Sequence, residues 1–124
     1  MDVLQDAVAK RALDAVDERR VMDTAVRLCT APSPTCSAGP AADALAAILE
    51  EDGFAVERPV ADWPPSPAVA VRFSHGEPAR TIQFNGHLDT VHLPFLPPQV
   101  RDGTLVGSGA SDMKGGLAAA VEAI

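Results

Sequence analysis

Aromatic residues are scarce in this chain of 124 residues: tyrosine is absent, and four phenylalanines and one tryptophan are the only aromatic side chains. Hydrophobic residues still make up 47% of the chain and charged residues 22%, proportions that are typical of a folded protein. Alanine, valine and leucine must therefore supply most of the core. The length corresponds to one ordinary domain.

Positive charge is also in short supply, since 10 lysines and arginines face 17 aspartates and glutamates, for a net charge of -7. No basic cluster is visible, which argues against a nucleic-acid partner. No apolar run approaches the roughly 20 residues that span a bilayer, so we expect no membrane partner. The first residues lack the basic and apolar regions of a secretory signal, and we expect a cytoplasmic protein.

Cysteine is nearly absent. Cys29 and Cys36 are the only two, and their spacing matches neither a zinc knuckle nor a redox pair. We therefore expect two reduced thiols with ordinary chemistry.

Helical periodicity dominates the first half of the chain. Apolar residues up to about residue 29 recur among charged ones, which predicts amphipathic helix with a break near residues 17–20. Prolines in residues 31–35 end it. A further helix is expected with Ser37 as N-cap, Pro40 in its first turn and Gly53 as its stop. Its buried stripe would be Leu45, Ile48 and Leu49.

Shorter elements follow. Strands are expected at residues 54–57, 68–73 and 81–84, and a helix at residues 113–124. Between them lie a proline-rich loop (59–67), a turn (75–78) and a second loop (92–98). Asp102 and Gly103 mark a turn before residues 104–106. Trp63 in the first loop is expected to cover a core edge. The order suggests an α/β sandwich. The last helix has no C-cap, so we expect a fragment of a longer enzyme.

Residues 84–91 (Phe-Asn-Gly-His-Leu-Asp-Thr-Val) form the first motif of interest. On an extended backbone, His87 and Asp89 point to the same side. A carboxylate that accepts one imidazole N–H fixes the tautomer and makes the other nitrogen a better metal ligand. By itself the motif is weak, because an exposed histidine beside a turn aspartate is an equally simple interpretation.

Residues 107–116 (Gly-Ser-Gly-Ala-Ser-Asp-Met-Lys-Gly-Gly) form the second motif. Glycines on both sides of Asp112 permit the tight backbone that a buried ligand needs. Asp112 could instead cap the last helix. Phosphate loops are disfavoured, because Lys114 lacks the flanking residues of a Walker sequence and Asp112 replaces the third glycine of a dinucleotide fingerprint.

Taken together, residues 85–91 and 102–116 resemble the M20 family of metallopeptidases and deacylases, which includes acetylornithine deacetylase, succinyl-diaminopimelate desuccinylase, aminoacylase and glutamate carboxypeptidase. A looser resemblance extends upstream, through residues 28–33 with Gly39 and residues 49–56. The resemblance implies that residues 1–124 are the N-terminal portion of a three-layer α/β/α zinc-peptidase-like catalytic domain. The rest of that domain and the lid domain would be absent.

The resemblance also implies roles for individual residues. His87 would be a ligand of one metal ion, Asp112 would bridge two ions, and Asp89 would be the catalytic residue that orients His87. The cofactors would be two Zn²⁺ ions per complete site, with Co²⁺ or Mn²⁺ as alternatives. A cis peptide bond between Asp112 and Met113 is implied as well, since it is frequent in the family.

The implied activity is hydrolysis of an amide or peptide bond in a small-molecule or peptide substrate. A water activated between the metal ions would attack, with a glutamate as general base, and the full-length enzyme could be a homodimer. The sequence departs from the family at Ser108, where many members have arginine. The family's Glu-Glu pair and its remaining ligands would lie beyond Ile124. Glu50 and Glu51 precede the histidine motif, and we expect them to be solvated surface.

Two further interpretations stay open. The chain could be a truncated, inactive fragment that binds zinc weakly and turns over no substrate, because His87 and Asp112 alone are two ligands. It could also be a small α/β binding module with coincidental motifs. His75 and His92 are expected to be exposed loop residues, and Lys114 a structural or surface charge near the start of the last helix.

Overall fold

The computed structural model describes residues 3–74, 76, 80–91 and 94–124, with the backbone alone at Leu4. Four helices form most of it: α1 (Val3–Asp14), α2 (Glu18–Thr30), α3 (Gly39–Glu51) and α4 (Gly115–Ala123). The strands are short: β1 (Val56–Glu57), β2 (Ala70–Val71), β3 (Gln99–Arg101) and β4 (Thr104–Val106). An irregular turn, Ala110–Lys114, runs directly into α4.

The predicted break in the first helical stretch is confirmed and separates α1 from α2. Asp17 is the N-cap of α2, and its carboxylate accepts the amides of Arg19 at 2.9 Å and Arg20 at 3.3 Å. Burial of an apolar face on α1 is not observed. Val3 and Leu13 are 82% and 73% exposed, and the core cluster of the described residues contains no residue of α1.

The ends of α3 are formed by backbone rather than side chains. Ala38 is its N-cap, so the prediction of Ser37 is wrong; the Ser37 amide instead donates to the carbonyl of Pro34 in a preceding turn. The predicted stop at Gly53 is confirmed. Gly53 has φ 89°, its amide donates to Glu50, and the next amide, of Phe54, donates to Leu49, which is a Schellman ending.

The core lies where α2 packs against α3 and α4. The predicted stripe on α3 is confirmed as buried, and it is joined by one residue each from α2 and α4; the cluster is Leu28, Leu45, Ile48, Leu49 and Val121. Burial of each such side chain contributes about 1.5–3 kcal/mol. Leu88 of residues 84–91 packs against this cluster, and Val121 belongs to α4, which begins at the end of residues 107–116.

Two small antiparallel sheets complete the fold. β1 pairs with β2, with Val56 opposite Val71, and β3 pairs with β4 in a hairpin. The hairpin turns at Asp102 and Gly103, whose φ angles of 49° and 74° suit an Asp-Gly turn. The expected strands at 54–57 and 68–73 are thus present in shortened form, and the expected turn at Asp102 and Gly103 is confirmed.

The strand expected at residues 81–84 is not formed. This segment has no ladder partner among the described residues, and a strand is defined by such hydrogen bonds. Ile82 and Phe84 are 81% and 59% exposed. Further along, Thr90 makes an isolated parallel bridge with Pro34. The expected turn at 75–78 and the start of the loop at 92–98 include His75, Glu77, Pro78, His92 and Leu93, which lie outside the described residues.

Three helices, then four short strands and a last helix, are compatible with the α/β class predicted from the sequence. The proline-rich segment 59–67 is loop, as expected. Over the part of the chain that the structure describes, no helix has the length and apolar character required to cross a bilayer.

Candidate metal centre

The two motifs meet through their polar side chains. His87 Nε2 lies 3.0 Å from Asp112 Oδ1, although 25 positions separate the residues in sequence. Both side chains face solvent, with 47% and 83% of their surface exposed. An imidazole nitrogen and a carboxylate oxygen therefore converge on one accessible point.

Asp89 lies on the other side of the imidazole ring. His87 Nδ1 is 3.0 Å from the Asp89 backbone carbonyl and 3.3 Å from its carboxylate Oδ1. Both groups are acceptors, as is Asp112 Oδ1 on the opposite side of the ring, so the doubly protonated imidazole can donate from both nitrogens. If a cation took the place of the Nε2 proton, the two acceptors at Nδ1 would keep the remaining proton there and leave the Nε2 lone pair to the cation. Side chains of His87 and Asp89 do lie on one side of the chain, as the extended backbone predicts.

Asp112 sits in the irregular turn before α4. Its backbone is non-helical (φ -132°, ψ 98°), and the peptide bond to Met113 is cis, as the resemblance implied. Lys114, not Asp112, is the N-cap of α4, so the helix-capping alternative for Asp112 is wrong. The turn leaves the carboxylate free to reach across to His87.

The side chain of Met113, in the second motif, contacts the backbone of the first motif. The His87 amide donates to Met113 Sδ at 3.4 Å, a weak hydrogen bond to sulfur. A Cβ atom at Gly86 would lie only 2.7 Å from Met113 Cε and 2.8 Å from Leu117 Cδ2. Glycine at this position therefore allows the thioether to lie directly against the backbone that carries His87.

Lys114 is buried, with 1% of its surface exposed. Of the two roles expected for it, structural support is the observed one and a surface charge is wrong. Its Nζ donates to the carbonyl of Ala31, the C-cap of α2, at 3.0 Å, and burial lowers the pKa of its ammonium. A cation that binds a carbonyl at a helix C terminus is also favoured by the helix dipole.

The first motif is attached to residues 33–35. Ser33 Oγ donates to the Leu88 carbonyl at 2.8 Å, and the Thr90 amide donates to the Ser33 carbonyl at 2.7 Å. Thr35 Oγ1 donates to Asp89 Oδ2 at 2.7 Å. These residues were missed in the sequence, because their partners are more than 50 positions away and no local pattern connects them.

The electrostatics of the pair favour a positive charge. The Asp112 carboxylate, followed by the Asp89 backbone carbonyl, raises the pKa of His87 above 6.5. A divalent cation between Nε2 and the carboxylate would supply the same compensation that a proton supplies here.

The donor chemistry fits a metal ion. Zinc bonds of about 2.0–2.1 Å in tetrahedral geometry place two ligand atoms roughly 3.3 Å apart, close to the observed separation of Nε2 and Oδ1. The site is incomplete, however. Among the described residues, no group of three or more histidine, cysteine, aspartate or glutamate side chains is arranged so that it could hold a metal ion. Cys29 and Cys36 are free thiols, the first buried and the second exposed, as expected for reduced cysteines.

The remaining candidates lie on the periphery. Glu51 is on the surface, as expected, where it forms a bidentate ion pair with Arg27 that links α3 to α2 at 2.7 and 2.8 Å. Trp63 is 55% exposed, and its indole Nε1 donates to the Cys36 carbonyl at 2.7 Å. This tryptophan thus joins two loops by a hydrogen bond, and it does not cover the edge of the core as expected.

Comparison with known proteins agrees with the motifs. Residues 83–124 match the family model described as peptidase family M20/M25/M40. Among curated relatives, the succinyl-diaminopimelate desuccinylase of Methylorubrum extorquens is 40% identical over 101 residues, which are 73% of this chain and 26% of that protein. The desuccinylase of Erythrobacter litoralis is 37% identical over 121 residues, 85% of this chain and 31% of that protein. The desuccinylase of Novosphingobium aromaticivorans is 41% identical over 110 residues, which are 81% of this chain and 29% of that protein.

No solved structure gives a significant match. The chain spans between 26% and 31% of the length of these three relatives. The family model covers both His87 and Asp112, and the relatives extend the similarity over most of the chain. The resemblance drawn from the two motifs is therefore confirmed, and the chain belongs to the M20 peptidase family.

Proposed function

We propose that the protein is a metal-dependent hydrolase of amide bonds, in which His87 and Asp112 are metal ligands and Asp89 orients His87. The observation that carries this proposal is the 3.0 Å approach of His87 Nε2 to Asp112 Oδ1. Residues from two separate motifs converge there in a solvent-accessible position, on the edge of the helical core.

The chain supplies only part of such a centre. We propose that residues 1–124 form the N-terminal portion of a three-layer α/β/α catalytic domain. The relatives are roughly three to four times as long as the aligned segment, and two ligands are too few to hold two ions. The general base and the other ligands would then come from sequence outside these residues. A homodimer of the complete enzyme and a cytoplasmic location remain predictions from the sequence.

Each residue contributes a distinct part of the chemistry. Asp89 would accept a hydrogen bond from His87 Nδ1–H, which would leave the Nε2 lone pair for a cation. The Asp112 carboxylate has two oxygens, so it can bind on both sides and bridge two ions. Lys114 holds the turn that carries Asp112 against the end of α2. Bound Zn²⁺, or Co²⁺ or Mn²⁺ in its place, would polarise the substrate carbonyl and lower the pKa of a water molecule.

The relatives narrow the substrate class. Their names identify them as desuccinylases of succinyl-diaminopimelate. We propose that this protein likewise releases an acyl group from an amine, acting on an acylated amino acid or a peptide. The competing proposal is a catalytically inactive fragment, which the missing ligands favour for the 124 residues in isolation.

Zinc titration of the chain tests the proposal. Isothermal calorimetry should show weak binding to the wild-type chain, and His87→Ala or Asp112→Asn should lower the affinity by about tenfold or more, as removal of a ligand does. Asp102→Asn is the matched control, because Asp102 is an exposed turn carboxylate outside the site and asparagine accepts its positive φ. The control should bind zinc as the wild type does.

Turnover tests whether the 124 residues can act on their own. The isolated chain should not hydrolyse succinyl-diaminopimelate even when zinc is present, since the general base is missing. Zinc binding that is equally strong in wild type, His87→Ala and Asp112→Asn would remove the basis of the metal role. Tight binding of two ions by the chain alone would show instead that its site is complete.

A further inference from the structure

Thr35 reaches the candidate metal centre from the loop between α2 and α3. Its Oγ1 donates to Asp89 Oδ2 at 2.7 Å, while the other oxygen of the same carboxylate, Oδ1, lies 3.3 Å from His87 Nδ1. The Asp89 carboxylate is thus held between a hydroxyl and an imidazole. A continuous chain of polar contacts leads from Thr35 through Asp89 and His87 to Asp112.

The position of Thr35 does not depend on its hydroxyl. Neighbouring backbone is already joined to the histidine motif, because Thr90 N donates to Ser33 O at 2.7 Å and Pro34 bridges to Thr90. Ser33 is 1% exposed, and its own hydroxyl is bonded to the Leu88 carbonyl. The loop therefore brings the Thr35 hydroxyl to Asp89 as a consequence of the fold.

The hydroxyl has a chemical effect on the carboxylate. Hydrogen bonds from a hydroxyl to a carboxylate are charge-assisted, short and directional. A donor on Oδ2 fixes the rotation of the carboxylate and leaves Oδ1 to face the imidazole. Asp89 contributes its backbone carbonyl to the same nitrogen at 3.0 Å, so the ring is oriented by two acceptors of one residue. Thr35 contacts the carboxylate, which unlike the backbone carbonyl can rotate about its side-chain bonds.

We propose that Thr35 is a positioning residue of the metal centre, which orders the Asp89 carboxylate and through it the tautomer and orientation of His87. The inference rests on the proposed function for its purpose, because a fixed Nε2 lone pair matters when a cation binds there. Its structural content, the coupling of residue 35 to the imidazole, can be measured without any metal.

The test compares Thr35→Val, which keeps the shape and removes the donor, with Thr35→Ser, which keeps the donor. Long-range ¹⁵N–¹H spectra of the metal-free chain, at a pH well above the imidazole titration, report which ring nitrogen of His87 carries the proton. Wild type and Thr35→Ser should show the proton mainly on Nδ1. Thr35→Val should shift the two nitrogen signals toward each other, as the tautomers mix.

Thr30→Val is the matched control, since the Thr30 hydroxyl is bonded to the Val26 carbonyl at the end of α2. It removes a hydroxyl without touching Asp89, and the His87 signals should stay at their wild-type positions. Identical His87 signals in wild type and Thr35→Val would overturn the inference. The inference would also fail if the His87 signals of Thr35→Ser were shifted in the same way as those of Thr35→Val.

Zinc titration of the same variants keeps this inference distinct from the proposed function. The affinity should fall by about threefold in Thr35→Val, less than the 10–100-fold typical of a group bonded directly to a ligand, and should recover in Thr35→Ser. If the wild-type chain fails to bind zinc through His87, the proposed function fails while the tautomer shift stands. If zinc binds but residue 35 changes neither signal nor affinity, only this inference fails.

Discussion

Lys114 Nζ and the carbonyl of Ala31 are joined by a 3.0 Å hydrogen bond across 83 positions of sequence. This bond places a buried ammonium at the C terminus of α2, directly behind the turn that carries Asp112. The candidate metal ligand is therefore anchored to the helical core by the second residue after it. The same contact is one of those by which α2, the turn and α4 pack together.

Amine labelling should distinguish the two lysines of the chain. Lys10 is on the surface, with 76% of its side chain exposed, whereas Lys114 is buried. Acetic anhydride followed by mass spectrometry should modify Lys10 and leave Lys114 largely intact. We expect a difference in rate of more than about tenfold, because Lys114 reacts only after local opening. The lowered pKa of Lys114 would by itself favour reaction, so protection must come from burial. Equal labelling would place Lys114 at the surface.

Titration of His87 should reveal its pairing with Asp112. The pKa is raised above 6.5, first by the Asp112 carboxylate, so Asp112→Asn should lower it toward that value. The pair stabilises the fold fully below pH 6.5, and this stabilisation is lost as the pH rises through the raised pKa. Two-dimensional NMR of the ring protons measures the shift. Asp102→Asn serves as control, and an unaltered His87 titration in Asp112→Asn would contradict the observed contact.

Zinc and protons should compete for His87, since both need the Nε2 lone pair. Zinc affinity should therefore fall as the pH drops through the raised pKa of His87. Calorimetry across that range checks the slope, which should become shallower in His87→Ala.

Substitution of Gly109 should destabilise the chain more than substitution of Gly53. Both glycines have positive φ, 79° and 89°, so alanine costs about 1–2 kcal/mol at either site from the backbone alone. A Cβ at Gly109 would also lie 2.7 Å from Thr90 Cγ2 and 3.0 Å from Lys114 Cδ, whereas one at Gly53 meets nothing within 4 Å.

Urea unfolding of Gly109→Ala and Gly53→Ala measures the difference. The excess for Gly109 should be about 1–3 kcal/mol, the range for overpacking a tight site. Equal losses in both variants would mean that the second motif is not pressed against Thr90. A larger loss in Gly53→Ala would reverse the order that the contacts require.

Helices and turns were largely predictable because their causes are local. Proline positions, the glycine at the end of α3 and the Asp-Gly hairpin each restrict their own backbone, and the structure has these features where the sequence places them. The N-cap of α3 was missed by one residue, since Ser37 is used in a preceding turn. Strand formation at 81–84 failed as a prediction, because a strand depends on partners that no local pattern specifies.

The candidate site shows the same division. Sequence alone pointed to His87, Asp89 and Asp112 as candidate site residues, because their spacing and flanking glycines make a recognisable pair of motifs. Their roles stay a prediction, whereas the family drawn from the same motifs is confirmed. Only the tertiary structure decided that His87 Nε2 faces Asp112, that Lys114 is buried, and that Thr35 reaches Asp89. Those facts depend on how distant segments pack, and packing is set by the whole chain rather than by any stretch of it.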